Sequence, residues 1–278
     1  MDAQKVEQPV IVIRGGSAWQ FPVLRELRHY RDLFYFLVRR DIKVLYAQTI
    51  LGFSWAILNP LIQIVIFTII FGRVANIETD GIPYVLFVTV AIVPWTYMSD
   101  AMVASSQSLI TEQHMLGKVY FPRLIYPLTP TFSKLLDFVF ALLLIAVALV
   151  HYQVAATWQL LLLPFVIVWM VMIPAGVGMW LSALAVRFRD VKFAMQFAIR
   201  MLLYTAPILY TASPMRHGYR LVYSLNPLVG VIEAFRACLL GTQLPWPYLL
   251  AGIVTTLLMF FGGLMYFHKM ERVFADVV

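Results

Sequence analysis

Six long apolar segments, separated by short polar stretches, dominate the hydrophobic pattern of the 278-residue chain. Each holds roughly 20 or more mostly apolar residues, which is the length that an α-helix needs to cross the hydrocarbon core of a bilayer. The pattern predicts an all-α, polytopic membrane protein, with residues 1–50 as a polar N-terminal segment and residues 51–278 as a six-helix transmembrane domain. The expected spans are about 51–73, 84–107, 126–150, 158–186, 191–211 and 247–267.

The composition also indicates that lipid is the solvent for most of the chain. It is 62% hydrophobic and 13% charged, whereas about 25% of the residues in a soluble domain are charged. A single cysteine, Cys238, allows no intrachain disulfide. The polar and basic N-terminal segment lacks the short apolar core and small-residue cleavage site of a secretory signal, so we expect no cleaved signal peptide.

The distribution of Lys and Arg predicts the orientation of the chain. Short loops rich in these residues stay on the cytoplasmic side of the membrane. If the N-terminus is cytoplasmic, fifteen of the 21 basic residues lie in cytoplasmic segments and four in external ones, while Lys134 and Arg200 lie within spans. Both termini are therefore expected in the cytoplasm. The net charge of +7 fits this bias and gives little reason to expect nucleic-acid binding.

Two cytoplasmic segments carry patterns that a simple linker does not need. Residues 21–46 place Leu and aromatic residues at helical spacing among Arg and Asp, which is typical of an amphipathic helix on the membrane surface. The loop between spans two and three has an apolar cluster that suits a short helix presented to a partner's groove. A helix dipping into the headgroups would show the same pattern. The candidate residues of this loop are His114, Met115, Lys118, Tyr120 and Arg123.

The last external connection, residues 212–246, is unusually apolar for a loop. In "NPLVGVIEAFRACLLG", Asn226 is placed as the N-cap before a proline and Gly241 at the end, which predicts a helix of about 14 residues, too short to span. The apolar piece "GYRLVYSL" precedes it. We therefore expect two short re-entrant helices, because such backbone is tolerated in a membrane where protein or water covers it. Glu233 and Arg236 are three apart and are expected to pair.

Polar side chains recur inside two of the spans. An Arg at the bilayer centre costs about 2.5–3.5 kcal/mol on insertion scales, so an intramembrane Arg is a functional candidate. Polar and aromatic residues on one helical face suit a hydrated path, because aromatic rings stack on sugars and amides hydrogen-bond hydroxyls. Ordinary helix–helix contacts of Asn and Gln explain any single residue equally well. The candidate path residues are Trp55, Asn59, Gln63 and Phe67 in span one, and Phe193, Gln196, Phe197, Arg200 and Tyr204 in span five.

Other charged residues within spans have candidate partners nearby. Lys134 and Asp137 are three apart in span three and are expected to neutralise each other. Asp100 in span two has no local partner, and Lys134 and Arg200 are its candidates. We interpret the Lys134–Asp137 pair as structural.

Motifs for catalysis and nucleotide binding are absent from the sequence. It contains no G-x-x-x-x-G-K-[ST], no H-E-x-x-H and no Cys-x-x-Cys. The sequence therefore predicts a protein that is not an enzyme and whose transport draws on an ion gradient or on a partner. A gradient-driven carrier usually has inverted repeats; none is visible here, but such a carrier stays open as an alternative.

Four stretches together resemble the permease subunits of bacterial ABC exporters for polysaccharides and polyol phosphates, most of all the Wzm-type O-antigen permeases. They are "RRDIKVLYAQTILGFSWAILNPL", "GKVYFPRLIYPL", "LSALAVRFRDV" and "YSLNPLVGVIEAFRACLLG", and they follow the family's order along the chain. One departure concerns Ala47 and Gln48, which are neutral where family members often carry more charge. We therefore expect no charged substrate contact at these two positions.

The resemblance implies a homodimer with two copies of a separate cytoplasmic ATPase, which would bind ATP and Mg²⁺, while this chain would bind no cofactor. The cargo would be an undecaprenyl-linked glycan crossing the bacterial inner membrane, with capsule, teichoic acid or a small-molecule drug as alternatives. Spans one and five would line the channel, Arg39 and Arg40 would meet headgroups at the entrance, and the loop 111–122 would be the coupling helix. The external gate would include Tyr219, Tyr223, Asn226, Glu233 and Arg236.

Overall fold

A computed structural model of the chain describes residues 28–47, 49–113, 122–188, 190–211 and 222–277, with side chains described up to residue 271. These residues contain no β-strand, which confirms the predicted all-α class. A π-helical turn, Thr68–Val74, extends the second helix, and a 3₁₀ turn, Trp158–Leu162, precedes the sixth. The α-helices of the described residues are α1 (Arg31–Tyr46), α2 (Ser54–Phe67), α3 (Tyr84–Thr111), α4 (Ile125–Ser133), α5 (Leu135–His151), α6 (Leu163–Arg187), α7 (Val191–Thr205), α8 (Pro227–Leu240) and α9 (Trp246–Val277).

Five helical stretches among the described residues are long and apolar enough to cross a membrane. They correspond to predicted spans one, two, three, four and six, so the chain is a polytopic all-α membrane protein. The stretches are Ser54–Val74, Tyr84–Thr111, Ile125–His151, Trp158–Arg187 and Trp246–Glu271.

The predicted fifth span, 191–211, is shorter as a helix than the sequence suggested. Helix α7 ends at Thr205 after 15 residues, which is roughly 22 Å at 1.5 Å per residue and less than the hydrocarbon thickness of about 30 Å. Ala206 is extended, with φ −105° and ψ 153°, because the ring of Pro207 disfavours the helical conformation of the residue before it. The count of six spans therefore stays a prediction.

Helix α3 is the central element of the bundle. In its most apolar stretch 78% of the residues are buried, against 11% for α2 with its π-helical turn. A helix that is apolar on all sides is one that is surrounded by others, and α3 packs against α2, α4, α5, α6, α7 and α8. These six helices are therefore positioned in part by their contacts with α3.

Helices α6 and α9 approach each other closely through glycines. A Cβ atom on Gly263 would lie 2.7 Å from the carbonyl oxygen of Gly176, and a Cβ on Gly176 would lie 2.9 Å from the Cα of Phe260. Small residues allow such close backbone approach between membrane helices. The Trp180 indole strengthens the contact, since its Nε1 donates to the carbonyl of Met259 at 3.1 Å.

The third span consists of two helices, α4 and α5, which meet at Lys134. Hydrogen bonding continues across the joint, from the amide of Lys134 to the carbonyl of Pro130 at 3.0 Å and from Phe138 to Lys134 at 3.2 Å. The Lys134 Nζ lies 3.0 Å from an Asp137 carboxylate oxygen. This ion pair confirms the predicted neutralisation of the two charges within the span.

Candidate transport path, external gate and cytoplasmic link

The predicted polar stripe of span one winds around α2. Trp55 is 46% exposed and Asn59 is exposed, whereas Gln63 is half-buried and Phe67 packs against the core. A four-residue spacing rotates by about 40° per step around an α-helix, so residues 55 and 67 lie far apart around the helix axis. The exposed part of the stripe is therefore its N-terminal end, at Trp55 and Asn59.

A cavity of about 160 Å³ lies beside this N-terminal end of the stripe, between α2, α3 and α5. Its lining includes Trp55, Asn59, Asp100, Lys134 and Asp137. Asp100 lines the same cavity as Lys134, which is the first of the two partners considered from the sequence. The structure therefore brings the first predicted path residues together with charges from two other helices, a grouping that sequence spacing does not show.

The predicted stripe of span five lies on an open face of α7. Phe193, Phe197 and Tyr204 are 72%, 66% and 56% exposed. Arg200 is exposed as well, and Gln196 is half-buried. The opposite face of α7 is apolar and buried, with Met195 and Ile199 at 7% and 3% exposure. Because both α2 and α7 pack on α3, the two candidate path helices flank the same central helix.

The predicted short external helix forms as α8, with the expected caps. The Asn226 side-chain oxygen accepts a hydrogen bond from the amide of Leu228 at 3.1 Å, and Gly241 ends the helix in the left-handed conformation with φ 68°. Asn226 also donates from Nδ2 to the carbonyl of Thr205 at 3.3 Å. Its side chain therefore joins the start of α8 to the end of α7. Tyr219, another predicted gate residue, lies outside the described residues.

Arg236 pairs with Glu233 within α8 and connects this helix with two other parts of the bundle. Its guanidinium, on a side chain that is only 4% exposed, lies 2.8 Å from the Glu233 carboxylate, as the sequence predicted. It also lies over the Phe87 ring of α3, 3.6 Å from the ring centroid, and donates to the carbonyl of Ile208 at 3.4 Å. The contacts to Phe87 and Ile208 carry no signal in the sequence, because they join distant parts of the chain.

A series of tyrosines extends from this cluster to the open face of α7. The hydroxyl groups of Tyr223 and Tyr210 are 3.4 Å apart, and the Tyr210 hydroxyl donates to the backbone carbonyl of Tyr204 at 3.0 Å. On the other side, the Tyr84 hydroxyl donates to the carbonyl of Leu209 at 3.1 Å. The candidate gate residue Tyr223 is thus connected through Tyr210 to the backbone of Tyr204, the last candidate path residue.

The two arginines predicted at the substrate entrance differ in their surroundings. Arg39 is exposed. Arg40 forms ion pairs with Glu112 at 2.6 Å and with Asp41 at 3.0 Å. Burial acts to lower the pKa of Arg40, but the hydrogen bonds and charges of Glu112 and Asp41 outweigh it and leave that pKa raised. Burial also raises the pKa of the Asp41 carboxyl, and the neighbouring guanidinium offsets this only in part.

The C-terminal side of the predicted coupling loop is tied to the last helix. The backbone amide of Arg123 donates to the Glu271 carboxylate of α9 at 3.2 Å, and the His268 ring lies 3.6 Å from the same carboxylate group. The other predicted coupling residues lie outside the described residues. They are His114, Met115, Lys118 and Tyr120.

The described residues offer no metal site, since no three His, Cys, Asp or Glu side chains in this part of the chain lie together as ligands. The chain forms a helical membrane bundle in which one helix has a polar and aromatic face, and its sequence contains no nucleotide-binding motif. This combination is typical of a transporter's membrane subunit.

Comparison with known families identifies this class more closely. The family model of ABC-2 type transporters matches residues 32–240, which is most of the chain. The chain therefore belongs to the ABC-2 type transporter family, whose permeases are membrane transport subunits without a catalytic site of their own.

Curated relatives match the chain over nearly its whole length. An "O-antigen export system permease protein RfbA" of Myxococcus xanthus is 28% identical over 225 residues, covering 80% of this chain and 86% of the relative. A protein of the same name from Klebsiella pneumoniae is 26% identical over 248 residues, covering 89% of this chain and 95% of the relative.

Proposed function

We propose that the chain is the permease subunit of an ATP-driven exporter that moves a lipid-linked, O-antigen-like polysaccharide across the bacterial inner membrane. The match of residues 32–240 to the ABC-2 family supports the transport role, and the names of the full-length relatives support the cargo. The observation that carries the proposal in this structure is the open, aromatic and polar face of α7. Arg200 is exposed on this face, and a charged side chain that faced lipid there would be energetically costly.

In this proposal two copies of the chain enclose the path. The exposed faces of α2 and α7 would line it, with Phe197, Arg200 and Tyr204 contacting sugar rings and hydroxyls. Aromatic side chains present apolar surface to such rings while keeping polar groups near water. Both termini would lie in the cytoplasm, as the Lys and Arg distribution predicts.

The energy would come from two copies of a cytoplasmic ABC ATPase that binds ATP and Mg²⁺. The loop 111–122 would be the element that receives its movement. The undecaprenyl-linked glycan would enter from the cytoplasmic leaflet near α1, where the exposed Arg39 offers a charge to lipid headgroups. At the external side, α8 with Tyr223, Asn226 and Arg236 would form the gate.

The experiment is a deletion and complementation assay combined with affinity purification from membranes. We expect deletion of the gene to remove the surface glycan and to leave undecaprenyl-linked glycan in the cytoplasmic leaflet. The tagged chain should restore export and carry an ABC ATPase with it through purification. Normal surface glycan after deletion would refute the cargo, and a functional chain that purifies without any ATPase would favour a gradient-driven carrier.

A further inference from the structure

The ion pair between Arg40 and Glu112 joins two segments that are 72 residues apart in the chain. Arg40 lies on the interface helix α1, and Glu112 directly follows the last residue of α3. The two guanidinium nitrogens lie 2.6 and 3.3 Å from the two carboxylate oxygens of Glu112. The side chains are only 29% and 22% exposed. A two-point contact of this kind fixes the relative orientation of the groups as well as their distance.

A second acidic residue acts at the other side of the same loop. Glu271 of α9 accepts a hydrogen bond from the backbone amide of Arg123 at 3.2 Å, across 148 positions of the chain. Glu112 and Arg123, which flank the predicted coupling segment, are therefore connected to α1 and to α9 respectively. Both connections are made by carboxylates, and both are absent from any local sequence pattern.

We propose that Glu112 is a positioning residue, which transmits movement of the 111–122 loop to the interface helix α1 through its ion pair with Arg40. The inference rests on the proposed function, in which this loop receives the stroke of the ATPase. In this proposal Arg40 connects α1 with the end of α3 inside the subunit. Contact with a lipid headgroup is left to Arg39, which is exposed and lies about 100° further around the helix.

Exchanging the charges of Arg40 and Glu112 distinguishes a role of Arg40 in the ion pair from a role in contacting lipid headgroups. Arg40→Gln and Glu112→Gln each remove one partner, and the double variant Arg40→Glu with Glu112→Arg restores an ion pair of opposite direction. In that variant the new guanidinium at position 112 would face the new carboxylate at position 40 and the carboxylate of Asp41. A lipid phosphate near position 40 would be repelled by these carboxylates, so a headgroup contact would not recover.

The assay uses the full-length chain in cells with its ATPase and compares glycan export at equal amounts of chain in the membrane. We expect each single variant to lower the export rate by about fivefold or more, as is common for coupled side chains, and the double variant to recover most of that loss. The amount of ATPase that purifies with the chain should stay constant. Arg31→Gln is the control, because this arginine lies on the same helix but is 77% exposed.

Conservative variants protect the test against simple misfolding. Arg40→Lys keeps the charge but loses the two-point geometry, and Glu112→Asp keeps the carboxylate but shortens its side chain by one methylene. For both variants we expect export between that of the wild type and of the Gln variants. The proposal is overturned if the Gln variants export normally, or if the charge-exchanged variant is no better than either single one. A wild-type chain that exports no glycan would instead refute the proposed function itself.

Discussion

The buried Arg236 offers the sharpest test of how α8 is held in the bundle. Its side chain is 4% exposed and its ion-pair partner Glu233 is 18% exposed. Arg236→Met keeps an unbranched side chain but removes the ion pair, the contact with the Phe87 ring and the hydrogen bond to Ile208. Breaking a buried ion pair by removing one partner costs about 3–5 kcal/mol, since the remaining charge is buried without compensation. We expect about 3 kcal/mol, because Glu233 retains some access to water.

The assay is thermal unfolding of the purified complex in lipid nanodiscs, run on single and double variants. Glu233→Gln should also destabilise strongly, because it leaves the guanidinium without its carboxylate. The double variant should cost less than the sum of the two single variants, since it leaves no buried charge. Arg73→Met is the control, because Arg73 is exposed and surface substitutions usually change stability by less than about 0.5 kcal/mol.

Two results would refute this reasoning. One is an unfolding temperature of the Arg236→Met complex that matches that of the Arg73→Met control. The other is strict additivity of the Arg236 and Glu233 changes, which would mean that the two side chains do not interact in the assembled protein.

Three further predictions concern the helix packing, the path and the interface helix. Gly263→Ala should destabilise the bundle by roughly 1–3 kcal/mol in thermal unfolding, because the added Cβ meets backbone; Gly262→Ala, whose nearest atom is a Trp180 ring carbon at 3.2 Å, should cost less. Arg200→Ala should lower glycan export several-fold in the cellular assay without changing the amount of ATPase that purifies with the chain, and unchanged export would remove Arg200 from the path. Because the pKa of the Asp41 carboxyl is raised in the folded protein, the folded state binds the carboxyl proton more tightly than the unfolded chain does. The stability that Asp41 contributes is therefore largest below the ordinary pKa of 3.8, and it falls as the pH rises through the raised pKa. Asp41→Asn should remove this fall in the acidic pH range, as measured by unfolding temperature against pH.

Local features of the fold followed from the sequence because their causes lie within a few residues. The caps of α8 at Asn226 and Gly241 depend on a side chain and a backbone conformation at those positions. The pairs Lys134–Asp137 and Glu233–Arg236 depend on one helical turn. The early end of α7 also has a local cause, the proline at position 207. The sequence-based prediction still extended the span to residue 211, because the residues on either side of this proline are apolar.

Contacts between distant segments could not be predicted in the same way. Arg40 was expected to meet headgroups, and its ion pair with Glu112, 72 residues away, gave no signal in the sequence. Arg236 was expected to pair with Glu233, but its position over the Phe87 ring depends on how α8 packs against α3. Such contacts follow from the tertiary arrangement of helices, which hydrophobic periodicity alone leaves open. The roles assigned to the path and gate residues remain predictions.

Reconstitution tests the central claim most directly. The chain and the ATPase that purifies with it are placed in proteoliposomes that contain an undecaprenyl-linked glycan in the leaflet facing the ATPase, and the glycan that reaches the opposite side is measured. We predict translocation that requires ATP and Mg²⁺ and that stops when the ATPase is omitted or when its catalytic site is disabled. Translocation by the chain alone, driven by an ion gradient and indifferent to ATP, would contradict the account.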